Sequence, residues 1–168
     1  MVNEVTHKAE GRTLSIERSF DAPRELVFEC WTDGDKLTKW WAPNNWTTPV
    51  SKMDMRPGGQ WHYCMKGPDD GSEWANYEAW GLALIKEVDP PKKLVWEDAF
   101  SDETGEVNTE MPTSTITFEF FDEDGKTRVQ ATAVYATEAN LQKVIEMQMI
   151  DGMTSAFVNL DNLLASLS

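Results

Sequence analysis

The C-terminal segment, residues 138–168, constrains the fold most. Apolar residues recur in it at i, i+3, i+4 and i+7 for about seven turns, which predicts one long amphipathic helix. Thr137 precedes the run and is expected to cap its N-terminus. A helix of this kind needs an apolar surface to cover, so the earlier segments must supply one. The predicted apolar face comprises Leu141, Val144, Ile145, Gln148, Met149, Gly152, Met153, Ala156, Phe157, Leu160, Leu163 and Leu164.

Short segments with period-two alternation come before this helix and are separated by turn signals such as Pro-Gly-Gly and Asp-Gly. They predict strands that pair in an antiparallel meander. Two short helices are predicted between the first two strands. The predicted strands cover residues 12–20, 50–55, 60–66, 77–88, 93–100, 113–121 and 126–135.

Strands grouped together, followed by a long helix, indicate an α+β fold. We expect a curved antiparallel sheet of about seven strands wrapped around the C-terminal helix. Residues 1–11 are polar and are predicted to be a flexible N-terminal tail. Residues 12–168 are predicted to form a single domain, because 168 residues is the length of one domain.

The charge balance excludes several classes of partner. The chain has 15 Lys and Arg residues against 29 Asp and Glu residues, a net charge of −14. Nucleic acids and anionic membrane surfaces attract the opposite sign, so neither is a predicted partner. No run approaches 18 apolar residues, so membrane insertion is not expected. The N-terminus has no apolar signal core and Cys30 and Cys64 are far apart, which together predict a cytoplasmic protein.

Few side chains offer catalytic or metal-binding chemistry. His7 lies in the predicted tail, and His62 is expected on the outer side of its strand. A zinc site needs about three or four protein ligands, so no metal or other cofactor is predicted. Asp98 is a weak catalytic candidate: it should share the inward face of its strand with Trp96, and a carboxyl in apolar surroundings can act as an acid or a base. The alternative is a solvated carboxylate at the end of the strand.

Large apolar side chains fall on the inward positions of the predicted strands and helix. Ligand pockets are mostly apolar, and methionine adapts to irregular shapes. We therefore expect a ligand cavity between sheet and helix, although the same residues could simply fill the core. The candidate ligand-binding residues are Trp61, Tyr63, Trp80, Trp96, Phe118, Phe120, Tyr135, Met149, Met153 and Phe157.

Several short motifs occur in a characteristic order along most of the chain. Together they resemble the family named after the activator of heat-shock-protein-90 ATPase. This family lies within the helix-grip superfamily of START domains, birch-pollen-allergen-like proteins and polyketide cyclases. The motifs are Arg18 to Pro23, Val27-Phe28, Trp31 to Asp33, Trp40 to Pro43, Arg56 to Trp61, Asp89 to Trp96 and Gly152-Met153.

The resemblance implies a helix-grip fold and leaves three functions open. The first is binding of a small hydrophobic or amphipathic molecule without catalysis. The second is a chaperone-associated, stress-response role, for which Trp40, Trp41 and Trp46 would form an exposed apolar patch. The third is a cyclase- or hydrolase-like reaction that uses Asp98. The oligomeric state is left open.

The acidic segment 101–112 is a further candidate functional element. Long loops over a binding site often act as lids. If this loop covers the cavity mouth, its charge disfavours anionic ligands and favours neutral or cationic ones.

Overall fold

The computed structural model describes residues 4–42, 45–73, 75–147 and 149–167. Over these residues the chain forms eight strands and four helices. Their bounds are β1 Thr6–Glu10, β2 Thr13–Phe20, α1 Arg24–Thr32, α2 Gly34–Leu37, β3 Thr47–Met53, β4 Gln60–Lys66, β5 Glu78–Asp89, β6 Lys93–Phe100, β7 Ser114–Glu123, β8 Lys126–Tyr135, α3 Glu138–Glu146 and α4 Met149–Leu167.

The described strands form one antiparallel sheet in the order β1-β2-β8-β7-β6-β5-β4-β3. Strands β3 to β8 pair in sequence order, and β2 pairs with the last strand, β8. The two short helices, α1 and α2, connect β2 to β3, and the long helix α4 ends the chain. The predicted α+β helix-grip fold is therefore confirmed.

The N-terminus differs from the expectation of a flexible tail. Residues 6–10 form β1, which turns through Gly11 in a left-handed conformation (φ 60°) and pairs with β2 from Thr6↔Glu17 to Glu10↔Thr13. All five residues of β1 are exposed. An edge strand without a buried face leaves no apolar alternation in the sequence, and for that reason the pattern gave no signal there.

The C-terminal helical region is divided into two helices. Thr137 caps α3 as predicted, because its side chain accepts a hydrogen bond from the Asn140 amide at 3.0 Å. Helix α3 ends at Glu146, and the Met147 amide closes its last turn on the carbonyls of Lys143 and Val144. The predicted helix was continuous through Gln148, which lies outside the described residues. Helix α4 still runs for 19 residues.

The core lies between the inner face of the sheet and the helices. Phe157 of α4 packs edge-on against Phe20 of β2 (5.3 Å between ring centroids) and contacts Trp31 of α1 (6.3 Å). Arg18 is buried on the inner face of β2 and donates to the Asp161 carboxylate of α4 at 2.7 Å. This ion pair joins the last helix to the sheet by a directional contact as well as by apolar packing.

Candidate functional site

Most of the predicted ligand-binding residues lie on the inner face of the sheet. Seven of the ten are buried, and their rings pack closely: Trp61 stacks on Tyr63 with centroids 4.1 Å apart, and Trp96 contacts both Trp61 (5.5 Å) and Phe118 (5.0 Å). Met149 and Met153 of α4 are half-buried against the same core. The buried seven are Trp61, Tyr63, Trp96, Phe118, Phe120, Tyr135 and Phe157.

Trp80 is not part of this group. The register of β4 and β5 pairs Tyr63 with Gly81, so Gly81 faces inward and Trp80 faces outward. The Trp80 ring lies 5.2 Å from His62, and its indole nitrogen donates to Glu78 at 3.2 Å. The apolar run in β5 hides the alternation in the sequence, and the expected inward position of Trp80 is wrong for that reason.

The aromatic part of the inner face is filled by side chains. Trp61, Trp96 and Phe118 have no exposed surface, so they border no space large enough for a water molecule. Trp41 closes this group, with its ring 5.3 Å from Trp61 and 5.9 Å from Trp96. The sequence offered Trp41 only as part of a possible exposed apolar patch, because the tertiary fold alone brings it over these strands.

Polar groups gather at one end of this apolar face. The Tyr63 hydroxyl donates to Asp98 Oδ1 at 3.2 Å. Asp98 pairs across β6 and β7 with Ser114, which pairs in turn with Tyr135 of β8. Asp98 is half-buried, whereas Ser114 and Tyr135 are buried. The inward carboxyl predicted from the sequence therefore lies beside two tyrosine hydroxyls and one serine hydroxyl.

The surroundings change the acidity of this polar cluster. Burial raises the pKa of Asp98 to about 7. Hydrogen bonds from the Tyr63 hydroxyl and the Ala99 backbone act in the opposite direction and offset only part of this rise. Burial, together with the nearby charge of Asp98, raises the pKa of Tyr63 well above its usual value. The same two causes raise the pKa of Tyr135 to about 12, while a hydrogen bond with Ser114 opposes them. The tyrosines therefore stay neutral near pH 7, where Asp98 can exchange its proton.

Gly81 makes the contact between Tyr63 and Asp98 possible. A Cβ atom at Gly81 would lie only 2.4 Å from Tyr63 Cζ and 2.5 Å from Tyr63 Oη. The missing side chain lets the Tyr63 ring cross β5 and reach β6. Stacking on Trp61 holds the other side of the ring. Gly81 and Trp61 together hold the Tyr63 ring so that its hydroxyl faces Asp98.

A shallow depression of about 320 Å³ lies beside this cluster at the end of the sheet. Arg12, Glu97, Thr115 and Tyr135 are among its lining residues. Glu97, Thr115 and Val134 are paired across the outer face, so most of the depression opens on the side opposite Asp98.

The first part of the acidic segment 101–112 lies against the outer face, at Asp102 and Gly105. The Asp102 carbonyl is 3.0 Å from His62 Nε2, and Gly105 lies beside the same imidazole. Because His62 points away from the inner face, the loop is not positioned as a lid over the polar cluster. Within the described ranges, no three His, Cys, Asp or Glu side chains are placed to hold a metal ion.

Comparison with known proteins agrees with this architecture. The sequence model of the family described as Activator of Hsp90 ATPase homolog 1-like protein matches residues 21–165. The chain belongs to this family. No curated protein matches the chain.

Solved structures of proteins from bacteria share this fold. Protein Ms6760 from Mycobacterium smegmatis is 35% identical, with 96% of this chain and 95% of that chain covered and a TM-score of 0.84. A protein from Arthrobacter aurescens is 28% identical, with coverage of 97% and 91% and a TM-score of 0.86. One from Staphylococcus epidermidis is also 28% identical, with coverage of 97% and 95% and a TM-score of 0.81.

The tryptophan patch expected for a chaperone-associated role is not formed. Trp40 and Trp41 are buried, and the Trp40 indole donates to the Cys30 carbonyl at 2.9 Å. Trp46 is half-buried, with its ring 6.4 Å from Tyr77. The predicted exposure of Trp40 and Trp41 is wrong because α1 and α2 fold them onto the inner face.

Among the described helices, none combines the length and the apolar character that a membrane-spanning segment needs.

Proposed function

We propose that this protein binds a small amphipathic molecule in the cytoplasm, between the polar end of the inner face and helix α4. One observation carries the proposal: a half-buried carboxyl and two tyrosine hydroxyls converge on an otherwise apolar face. Placing a carboxyl on an apolar face opposes its ionisation even when a hydroxyl donates to it, and a polar group of a ligand would relieve that cost. Membership of the Activator of Hsp90 ATPase homolog 1-like family supports a helix-grip ligand-binding domain.

In the proposed site, different residues contact the polar and the apolar parts of the ligand. Asp98, Tyr63 and Tyr135 orient the polar group of the ligand. Met149 and Met153, which are half-buried on α4, cover its apolar part and adjust to its shape. The ligand does not enter between Trp61 and Trp96, because Trp41 already occupies that space.

Two tryptophan variants of α4 test this proposal. A panel of small amphipathic molecules is screened by native mass spectrometry for complexes of one ligand per chain. Met153→Trp should weaken binding of any hit at least tenfold, because the larger side chain would take up the space proposed for the apolar part of the ligand. The matched control is Val158→Trp on the same helix, where the native side chain is 52% exposed; its affinity should be unchanged. Equal affinities of the two variants, or no complex with any panel member, would refute the proposal.

Acid–base catalysis at the same site is the second candidate function. Asp98 can give or take a proton near pH 7, and Tyr63 is within hydrogen-bonding distance of it. Chromatography of the small molecule recovered from the mixture separates the two functions. Catalysis yields a different compound, even where an isomerisation leaves the mass unchanged, whereas binding alone returns the original compound. A conversion that stops in Asp98→Asn would favour this second function.

A further inference from the structure

The inner face of the sheet carries very little charge. Among the described strands, only Arg18 and Asp98 are charged side chains that face inward and are buried or half-buried. Arg18 is neutralised by Asp161, to which it donates from both terminal nitrogens. It also lies far from Asp98: Arg18 pairs with Val129, whereas Asp98 is level with Tyr135. These two levels are six residues apart on β8, so Arg18 and Asp98 are separated by roughly 20 Å along the strand direction.

Among the residues that the structure describes, no cation pairs with Asp98. None of the ion pairs formed by the described part of the chain includes Asp98. Its cross-strand neighbours are Ala83 on β5 and Ser114 on β7. The titratable hydroxyls beside it are those of Tyr63 and Tyr135, which are neutral. Arg12 lines the neighbouring depression with Ser114 and Tyr135, but it forms none of the ion pairs of the described residues with Asp98. Glu97 lies on the opposite face of β6 and pairs with Lys86 at 3.4 Å.

We propose that the ligand of this site carries a protonated amine that forms an ion pair with Asp98. The inference rests on the proposed binding function and names the chemical class of the ligand, a hydrophobic amine. The ammonium group donates to the Asp98 carboxylate, and the Tyr63 hydroxyl, held in place by Gly81, completes the polar wall. The hydrocarbon part of the amine lies against the methionines of α4.

Charge and desolvation together select this class of ligand. An unpaired carboxylate on an apolar face is destabilised, and a cation brought by the ligand removes that penalty. The raised pKa of Asp98 is the signature of the same penalty in the free protein. An anionic head group would meet Asp98 with like charge, so fatty acids are disfavoured without any contribution from the acidic loop at 101–112.

Three ten-carbon compounds that differ only in their head groups test the inference. Decylamine, decanol and decanoate are titrated into the protein at pH 8 by isothermal titration calorimetry. Decylamine should bind at least tenfold more tightly than decanol, and decanoate should bind most weakly. In Asp98→Asn the preference for decylamine over decanol should fall to about threefold or less. Glu97→Gln removes the same charge from the other face of β6 and should keep the full preference.

A pH series on the unmodified protein keeps the inference testable if Asp98→Asn folds poorly. Decylamine stays protonated between pH 5.5 and pH 8, so only the protein changes its charge. Its affinity should fall roughly tenfold or more on going to pH 5.5, because Asp98 becomes protonated, and the affinity for decanol should stay constant.

The outcomes separate this inference from the function on which it rests. If none of the three compounds binds, the binding function fails for this class and the amine inference fails with it. If decylamine and decanol bind equally well and Asp98→Asn changes neither affinity, the amine inference is overturned while the site stands. If Glu97→Gln abolishes the preference and Asp98→Asn does not, the amine binds in the depression on the outer face and the inference is wrong.

Discussion

Asp98 combines two properties that are rarely found together in a purely structural residue. It faces an apolar core with no cationic partner among the described residues, and it stays accessible enough to exchange a proton. A charged group buried in a protein is normally paired, as the buried Arg18 is with the half-buried Asp161. The Tyr63 hydroxyl offsets only part of the penalty, since the pKa of Asp98 remains above its usual value.

The stability of the protein should therefore depend on the ionisation of Asp98. The folded state holds the Asp98 proton up to about pH 7, whereas the unfolded chain releases it near pH 4. The free energy of unfolding should thus fall as the pH rises through this window. Above pH 7, Asp98→Asn should be more stable than the unmodified protein by about 2 kcal/mol, after allowance for the contact of Asp98 with solvent.

Urea unfolding at pH 5 and pH 8 measures this effect. Asp98→Asn should show a smaller loss of stability between the two pH values than the unmodified protein. Glu97→Gln is the control and should follow the unmodified protein. If Asp98→Asn is less stable than the unmodified protein at pH 8, then Asp98 is not an uncompensated buried charge.

At the scale of elements, three neighbouring strands build the polar cluster. Strand β4 supplies Tyr63, β5 supplies the gap at Gly81, and β6 supplies Asp98. The Tyr63 hydroxyl reaches β6 only because β5 has no side chain between them. The connection between α2 and β3 adds Trp41, which fills the remaining space beside Trp61 and Trp96.

Gly81→Ala should disrupt this arrangement. The added methyl group would overlap the Tyr63 ring, which is confined on its other side by Trp61. Overpacking of this kind destabilises a core by about 1–3 kcal/mol, so urea unfolding should show a loss in that range. The control is Gly34→Ala in α2, where a Cβ atom has ordinary contacts at 3.8 Å. That variant should be neutral or slightly stabilised. A Gly81→Ala protein as stable as the Gly34→Ala protein would contradict this account.

Alternation in the sequence predicted the inward faces where it was clear and failed where it was not. Trp61, Tyr63 and Trp96 face inward as their strands predicted, because each is flanked by residues suited to the outer face. The prediction that Trp80 faces inward was wrong, because apolar and polar residues do not alternate in the run that follows it in β5. Strand β1 gave no signal, since neither of its faces is buried. The inward direction of Asp98 followed from Trp96, but its contact with Tyr63 depends on the register of three strands.

At the scale of the whole molecule, the order of segments determined the fold. One strand, two short helices, a meander and a long helix are compatible with few arrangements, and the helix-grip fold is confirmed. The function follows less directly, because a fold shared by many proteins does not specify one ligand. Whether inward aromatic residues line a cavity or fill it depends on packing. The position of Trp41 shows that the aromatic part is filled, which leaves the polar end of the inner face as the candidate site.

The most direct measurement of this central claim is a map of amide chemical shifts in the isotope-labelled protein during titration with decylamine. The largest shifts should cluster on the inner face around Tyr63, Gly81, Asp98 and Tyr135 and in the first turns of α4. Residues in the β5–β6 and β7–β8 turns should shift little, because both turns lie at the other end of these strands from the cluster. Saturable shifts centred on those turns, with residues around the inner-face cluster unchanged, would refute a site at the polar end of the inner face.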